Sequence, residues 1–443
     1  LFYLINELFI ESEIMTSDSK RKQTSFLRAL WQEIAVPIAA ILLALLIGAI
    51  ILLVSGANPI IAYGALLKGA FGNAASLTRT LEKATPLIFS GLAISLAFKA
   101  GMFNIGAQGQ LTFGAIISAF VGFAVTGLPW YLHGPLALMA GALAGALYGA
   151  IPGVLKAFTG AHEVIITIML NYIALNFTDW LVGGAWQDKS TAILLPRTPL
   201  IEESAFIDKE RLISSGIIYI VLGLYVLFAI YLVVSNWKKS QAMGNSFSEF
   251  STEYASKFLI ILLPVILIGS YIFGILGVGF ILAIAAAFAV WWLLERTTIG
   301  FEIRMVGSNS QAARYAGIKV AGIIVLTLAL SGLLAGLGGA VETTGVDGRF
   351  EPGFNTGLGF DGITIALLGK THPLGNIPAA LLIGSMKAGA NTMQFEAGVP
   401  KEIIDVIQSL MLFFVAADVI VRRIFKMRDT GEKVSLTSGW GKH

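Results

Sequence analysis

The sequence predicts an all-α fold, a polytopic transmembrane helical bundle of about ten to twelve spans with one short helix outside the membrane. Three observations carry this. Hydrophobic residues fill 56% of the 443 positions and charged ones only 13%, too few charges for a chain of this length to keep its surface in water. Apolar runs near the ~20 residues that cross a hydrocarbon core of ~30 Å recur along almost the whole chain. No stretch of ordinary globular composition is left over for a separate soluble domain.

The first fourteen residues, LFYLINELFIESEI, lack the basic n-region and small-residue cleavage site of a signal peptide, and Met15 is the more natural start. Residues 1–33 read as a cytoplasmic N-terminal segment, polar and basic from Met15 on, 34–421 as the transmembrane domain and 422–443 as a cytoplasmic C-terminal tail. Lys20, Arg21, Lys22 and Arg28 precede the first span, and Arg422, Arg423, Lys426 and Arg428 follow the last. The positive-inside rule places both ends in the cytoplasm and demands an even number of spans. Twelve apolar segments satisfy it: 34–54, 81–99, 104–124, 135–157, 163–184, 214–236, 258–276, 279–295, 321–341, 357–371, 374–394 and 402–421. The loops 55–80 and 185–213 then lie outside. Glycines at every fourth position in 141-GALAGALYG-149 and 332-GLLAG-336 predict faces where helix backbones approach closely.

Several chemistries are excluded. A net charge of +3, concentrated near the ends, speaks for membrane orientation and against nucleic acid. There is no cysteine, and the four histidines are scattered, which leaves no thiolate or histidine cluster for a metal. The stretch 357-GLGFDG-362 fits GxGxxG but has no βαβ unit around it, and 364-TIALLGKT-371 ends like a phosphate-binding loop yet fills the loop positions with Ile, Ala and Leu. No catalytic constellation can be assembled, so the chain reads as a non-enzyme.

What remains is polar chemistry at membrane depth. Charged and amide side chains inside spans are costly and by default face a bundle interior or a solute route, the alternative being bonds that only hold helices together. Gln108, Glu163, Asn171, Glu342 and Asp361 belong to this class. The stretch 98-FKAGMFNIGAQGQLTFGAI-116 gathers Asn104, Gln108 and Gln110 among glycines, which predicts a helix start beside a polar route, because irregular backbone is tolerated at that depth only where it is buried or lines a cavity. A second such region, 351-EPGFNTGLGFDGITIALLGKTHP-373, predicts a short or broken helix around Asp361, with Phe354 and Phe360 as flat apolar surfaces. A third, 296-RTTIGFEIRMVGSNSQAARYAGIKV-320, predicts a two-turn cytoplasmic helix at about 309–316, started by the Ser308–Gln311 capping-box spacing and ended by Gly317.

Five stretches resemble, in order, the permease subunits of bacterial ABC importers: FNIGAQGQLTFGA at 103–115, HEVIITIMLNYIA at 162–174, GFEIRMVGSNSQAARYAGI at 300–318, SGLLAGLGGAVETTG at 331–345 and GFDGITIALLGKTHPLG at 359–375. The likeness lies in the superfamily of ribose and branched-chain amino acid permeases, nearest its nucleoside (purine nucleoside) branch, and runs from about Asn58 to Ala417. The resemblance implies a multi-pass protein of the bacterial cytoplasmic membrane. It implies a homologous second permease as heterodimer partner, an ATPase with tandem nucleotide-binding domains that binds the ATP-Mg, and an extracytoplasmic binding lipoprotein. No cofactor is expected on this chain itself. It further implies that 300–318 is the coupling helix, with Glu302, Arg304, Asn309, Ala312, Ala313, Arg314 and Gly317 as the coupling residues. The chain departs from the family's ten or so spans by roughly sixty residues around 214–276, read as an extra helix pair.

A nucleoside offers a flat base with donor and acceptor edges and a sugar with hydroxyls, for which amides, carboxylates and an aromatic face are suited. Asn104, Gln108, Asn171, Glu342, Phe360 and Asp361 make that inventory, which would serve a pentose equally. An ion-coupled transporter using Glu163, Glu342 and Asp361, and a membrane-embedded enzyme, are the readings from other classes.

Overall fold

The computed structural model describes residues 19–190, 194–207, 277–353, 357–417 and 421. Thirteen α-helices are found among them, and no strand. The first, α1, covers Ser19–Val54 and begins well ahead of the span expected at 34. Next comes α2, Pro59–Phe71, inside the segment expected to be an outer loop. Its start is locally encoded: the Asn58 side chain accepts the Ile60 N–H, and Pro59 takes the first helical position, where no N–H is needed. At 13 residues it is too short to register as a span. Asn73 caps α3, Ala74–Lys99, which therefore starts earlier than the expected 81.

Then follow α4, Ala107–Ala124, α5, Trp130–Thr159, and α6, Glu163–Val182. After the segment 208–276, which holds the expected extra helix pair and lies outside the described residues, come α7, Val278–Arg296, α8, Thr298–Ser308, and α9, Ser310–Tyr315. The chain continues through α10, Val320–Glu342, a five-residue π turn, α11, Leu358–Leu368, α12, Asn376–Ala397, and α13, Ile403–Ala416. Seven of the described helices are long and apolar enough to cross a membrane: α1 from Ala35, α3, α4, α5, α6, α7 and α10. Three shorter apolar ones, α2, α11 and α13, and the longer, more polar α12 complete the bundle. The expected span 357–371 is only α11, whose 11 residues at ~1.5 Å each reach about half of a hydrocarbon core.

The centre of the packing is α10, which lies against α3, α4 and α5. The glycine faces do what their spacing predicts. A Cβ at Gly145 would collide with the backbone of Gly332 and Gly336, and one at Gly149 with Leu328 and Gly332, so α5 and α10 touch backbone to backbone. The short α11 lies along α3 in the same manner, with Gly362 on Ser90 and Gly91 under Ile365, so its first turn sits just past the midpoint of α3.

At one end of the bundle the segment after α6 folds back over α4 and the π turn. Glu202 N–H bonds Gly122 O, Ile201 N–H bonds Gly348 O and Ile207 N–H bonds Thr344 O, each at 2.8 to 3.0 Å. The fully buried His133 joins this cap to the helices, its ring nitrogens reaching Ser204 Oγ at 2.7 Å and the Val121 carbonyl at 3.1 Å. At the opposite end Gly307 of α8 rests on the Lys99–Ala100 backbone, carrying α8 and α9 against the foot of α3.

Candidate functional site

Two helices start inside the bundle without a capping side chain of their own. Gly106 precedes α4 and Gly357 precedes α11, and neither can supply an oxygen to the N–H groups of the first turn. Amides from neighbouring positions supply them. Asn171 of α6 accepts the Gly109 N–H at 2.8 Å through Oδ1 and donates to the Ile105 carbonyl at 2.9 Å through Nδ2. Asn104 accepts the Gly106 N–H at 3.1 Å, exchanges bonds with Gln110 and donates to Ser331 of α10 at 2.7 Å. Gln108 reaches across to α11, its Oε1 accepting the Gly359 N–H at 2.8 Å. All three amides are buried. Glycine is required where they meet, because a Cβ at Gly109 would press on Asn171 and one at Gly359 would strike the Gln108 backbone.

The first turn of α11 carries the two other expected residues on this side. Phe360 is 46% exposed. Asp361 faces α12 and α13: Lys387 Nζ stands 2.9 Å from Oδ2, and Gln408 Nε2 donates to Oδ1. The same ammonium lies 3.7 Å from Asp405.

Glu342, the remaining expected route residue, stands apart at the far end of α10. It is buried on the wall of a cavity of about 230 Å³ shared with Thr78, Glu82, Thr85, Phe280 and Val341, and Lys83 Nζ is 4.0 Å from its Oε1. Glu163 is paired with Lys156 at the α5–α6 turn. Among the described residues no group of three His, Asp or Glu side chains comes together that could hold a metal.

The short helix expected at about 309–316 is α9, Ser310–Tyr315. Its cap differs from the expected one. Asn309, not Ser308, accepts the Gln311 and Ala312 N–H groups, each at 3.0 Å, and Gly317 follows the helix with φ of 85°. Asn309, Ala312, Arg314 and Gly317 are exposed, as is Tyr315 at 93%. Ala313 is fully buried against its own bundle, so it anchors α9 and presents no surface. Arg304 pairs with Glu295 of α7 at 3.6 Å, and Glu302 is half-buried on α8.

Residues 76–207 and 204–416 match the family described as branched-chain amino acid transport system / permease component. The chain belongs to this permease family. The permease is similar to the guanosine ABC transporter permease protein NupP of Bacillus subtilis, 37% identical over 401 residues that cover 89% of this chain and 97% of that one. It is similar to the nucleoside ABC transporter permease protein NupB of Lactococcus lactis, 34% identical over 391 residues (88% and 92%). It is also similar to the glucose ABC transporter permease protein TsgB13 of Haloferax volcanii, 29% identical over 393 residues (89% and 90%). No solved structure matches it. Membership makes the chain a multi-pass membrane permease component that works with an ATPase and a binding protein and is not itself a catalyst. An ion-coupled carrier and a membrane-embedded enzyme are thereby set aside.

The partners of these side chains are less legible in the permease's sequence. Gln110 lay in the quoted stretch, but its bond to Asn104 needs α4 to turn it inward. Lys387 and Gln408 sit in segments that read as plain spans, although one lysine at the centre of an otherwise uncharged stretch of α12 is the signal for the first.

Proposed function

We propose that this permease carries nucleosides inward across the cell membrane, driven by ATP hydrolysed on a separate subunit with tandem nucleotide-binding domains. The observation that carries the substrate is likeness over nearly the whole chain to guanosine and nucleoside permeases, at 37% and 34% identity, against 29% for a glucose permease. A homologous second permease completes the route, and an extracytoplasmic lipoprotein delivers the solute. Both termini lie in the cytoplasm, as the basic residues around the first and last spans require.

In this reading Phe360 and Asp361 stand at the route and Glu342 at its outer approach. The amides Asn104, Gln108 and Asn171 serve it by fixing the helix starts that form its wall, since their side-chain oxygens accept the N–H groups of Gly106, Gly359 and Gly109 at the starts of α4 and α11. The exposed side of α9, with Asn309, Ala312, Arg314 and Gly317, is the surface that meets the ATPase, and Glu302 and Arg304 brace it from α8. A sugar is the second reading, favoured by the glucose permease among the relatives. Uptake of labelled guanosine, adenosine, uridine, ribose and glucose by cells expressing the complete complex decides between them. Nucleoside uptake without sugar uptake is expected, and uptake of ribose or glucose alone would overturn the nucleoside assignment.

A further inference from the structure

Lys387 stands at the middle of α12 with its ammonium between two carboxylates, Asp361 on α11 at 2.9 Å and Asp405 on α13 at 3.7 Å. Gln408 of α13 donates a second bond to Asp361. An ionisable side chain in the middle of a membrane helix marks a bundle interior or a solute route and is found paired. A buried pair kept only to tie helices together gains little over apolar packing. This one is made at the border of an open face. The Lys387 side chain keeps 24% of its exposure and Asp405 68%, and Phe360, next to Asp361, is 46% exposed.

The first turn of α11 is thus held from two sides by different means. On the α4 side the hold is to backbone, Gln108 to the Gly359 N–H, with Gly359 lying close against the Gln108 backbone. On the α12–α13 side the polar hold on the first turn is made by the Asp361 side chain. The ammonium that holds it has a second carboxylate 3.7 Å away in the more exposed Asp405. We propose that Lys387, assisted by Gln408, is a positioning residue for translocation: it holds Asp361, and so sets where the first turn of α11 and its Phe360 stand in the route. The proposal rests on the transport reading above for the word translocation, but the position of the turn can be measured without any substrate.

The chain has no cysteine, so Phe360→Cys places a single reporter on that turn. Its rate of reaction with a methanethiosulfonate reagent is measured in membranes holding the complete complex. The backgrounds are wild type, Lys387→Met, Lys387→Arg and the neutral pair Asp361→Asn/Lys387→Met, and guanosine uptake is followed in the same backgrounds without the reporter. Lys387→Met is expected to change the labelling rate by about fivefold or more, and Lys387→Arg to return it to near wild type. The neutral pair removes both charges, so it is expected to restore protein level while leaving the labelling rate altered and uptake low. Unaltered labelling in Lys387→Met would overturn the proposal, as would a neutral pair that restores both labelling and uptake, the result for a pair that is only structural. If the wild-type complex takes up no nucleoside, the substrate reading fails, and the labelling rates still decide the role of Lys387.

Discussion

The side-chain oxygen of Asn171 accepts the backbone N–H of Gly109 at 2.8 Å, so that α6 caps the first turn of α4. One position earlier Gln108 caps α11 through Gly359 in the same way. In water these N–H groups would be satisfied by solvent. Within a hydrocarbon layer each must find a protein partner or cost several kcal/mol, which is why amides and glycines are gathered at these helix starts.

Removing such a cap leaves a buried donor unsatisfied, at ~1–3 kcal/mol, beyond the ~1 kcal/mol net worth of the bond itself. Asn171→Leu and Gln108→Leu are therefore each expected to lower the melting temperature of the purified complex while still inserting. Gln108→Leu should also cut uptake about tenfold, because it frees the start of α11. A melting temperature unchanged in both variants would show that these N–H groups find other partners.

Backbone contact between α5 and α10 gives a second expectation. At Gly145 any side chain meets the Gly332 and Gly336 backbone, which cannot rotate away. Gly145→Val should force the two helices apart, at ~1–3 kcal/mol or more, and lower the amount of protein in the membrane several-fold. Gly64 on α2 has nothing within 4 Å of a built Cβ, so Gly64→Ala should leave that amount unchanged. Immunoblots of membrane fractions compare the two directly.

The helices long and apolar enough to cross a bilayer were legible in the sequence because length and apolar composition alone decide them: α3 to α7 and α10 each overlap an expected span, though α3 and α5 start several residues earlier. The Gly141–Gly145–Gly149 face was legible for the same local reason, its spacing. α2 was not, because an apolar helix of 13 residues falls below what a span requires, although Asn58–Pro59 encodes its start. The amides at 104, 108 and 171 stand out in the sequence as polar residues at membrane depth, but Gln108 and Asn171 bond backbone N–H groups of other helices and Asn104 reaches Ser331 of α10, and no local pattern specifies which partner a side chain will reach. Ala312 and Ala313 are indistinguishable in sequence as neighbours on a short helix. Only the packing of α9 distinguishes the buried one.

Asp188 gives an expectation in pH. It lies beyond the end of α6, in the segment that folds back over the bundle. Bonds from the Ser190 hydroxyl at 2.6 Å and the Ser190 N–H at 2.9 Å hold its carboxyl below the usual range, with Arg197 at 3.5 Å adding to the effect. Because the folded value lies below the unfolded one, protons bind the unfolded segment first as pH falls. The stability it lends is whole above the ordinary aspartate value of ~3.9 and is lost as pH falls through the lower folded value. Hydrogen exchange across residues 186–207 should therefore stay slow from neutral pH down to about pH 4 and quicken below it. Asp188→Asn should exchange faster already at neutral pH and show no such step. A step at higher pH would assign the protection to another group.

The two neighbouring alanines of α9 allow coupling to be separated from folding. Ala312 is exposed and Ala313 is fully buried against its own bundle. If the exposed side of α9 seats in the ATPase, Ala312→Glu puts bulk and charge into that interface and leaves the permease intact, since Ala312 is exposed among the described residues. Protein level and melting temperature should match wild type, ATP hydrolysis by the complex should continue, and nucleoside uptake should fall at least about tenfold. Ala313→Glu buries an unpaired carboxylate instead, so its loss should appear first as reduced protein level. Measuring hydrolysis and uptake on the same vesicles for both variants tests the assignment. Normal uptake by Ala312→Glu would remove α9 from the ATPase contact, and equal loss of protein in both variants would mean that the exposed side of α9 is packed in the assembled permease by something other than the ATPase.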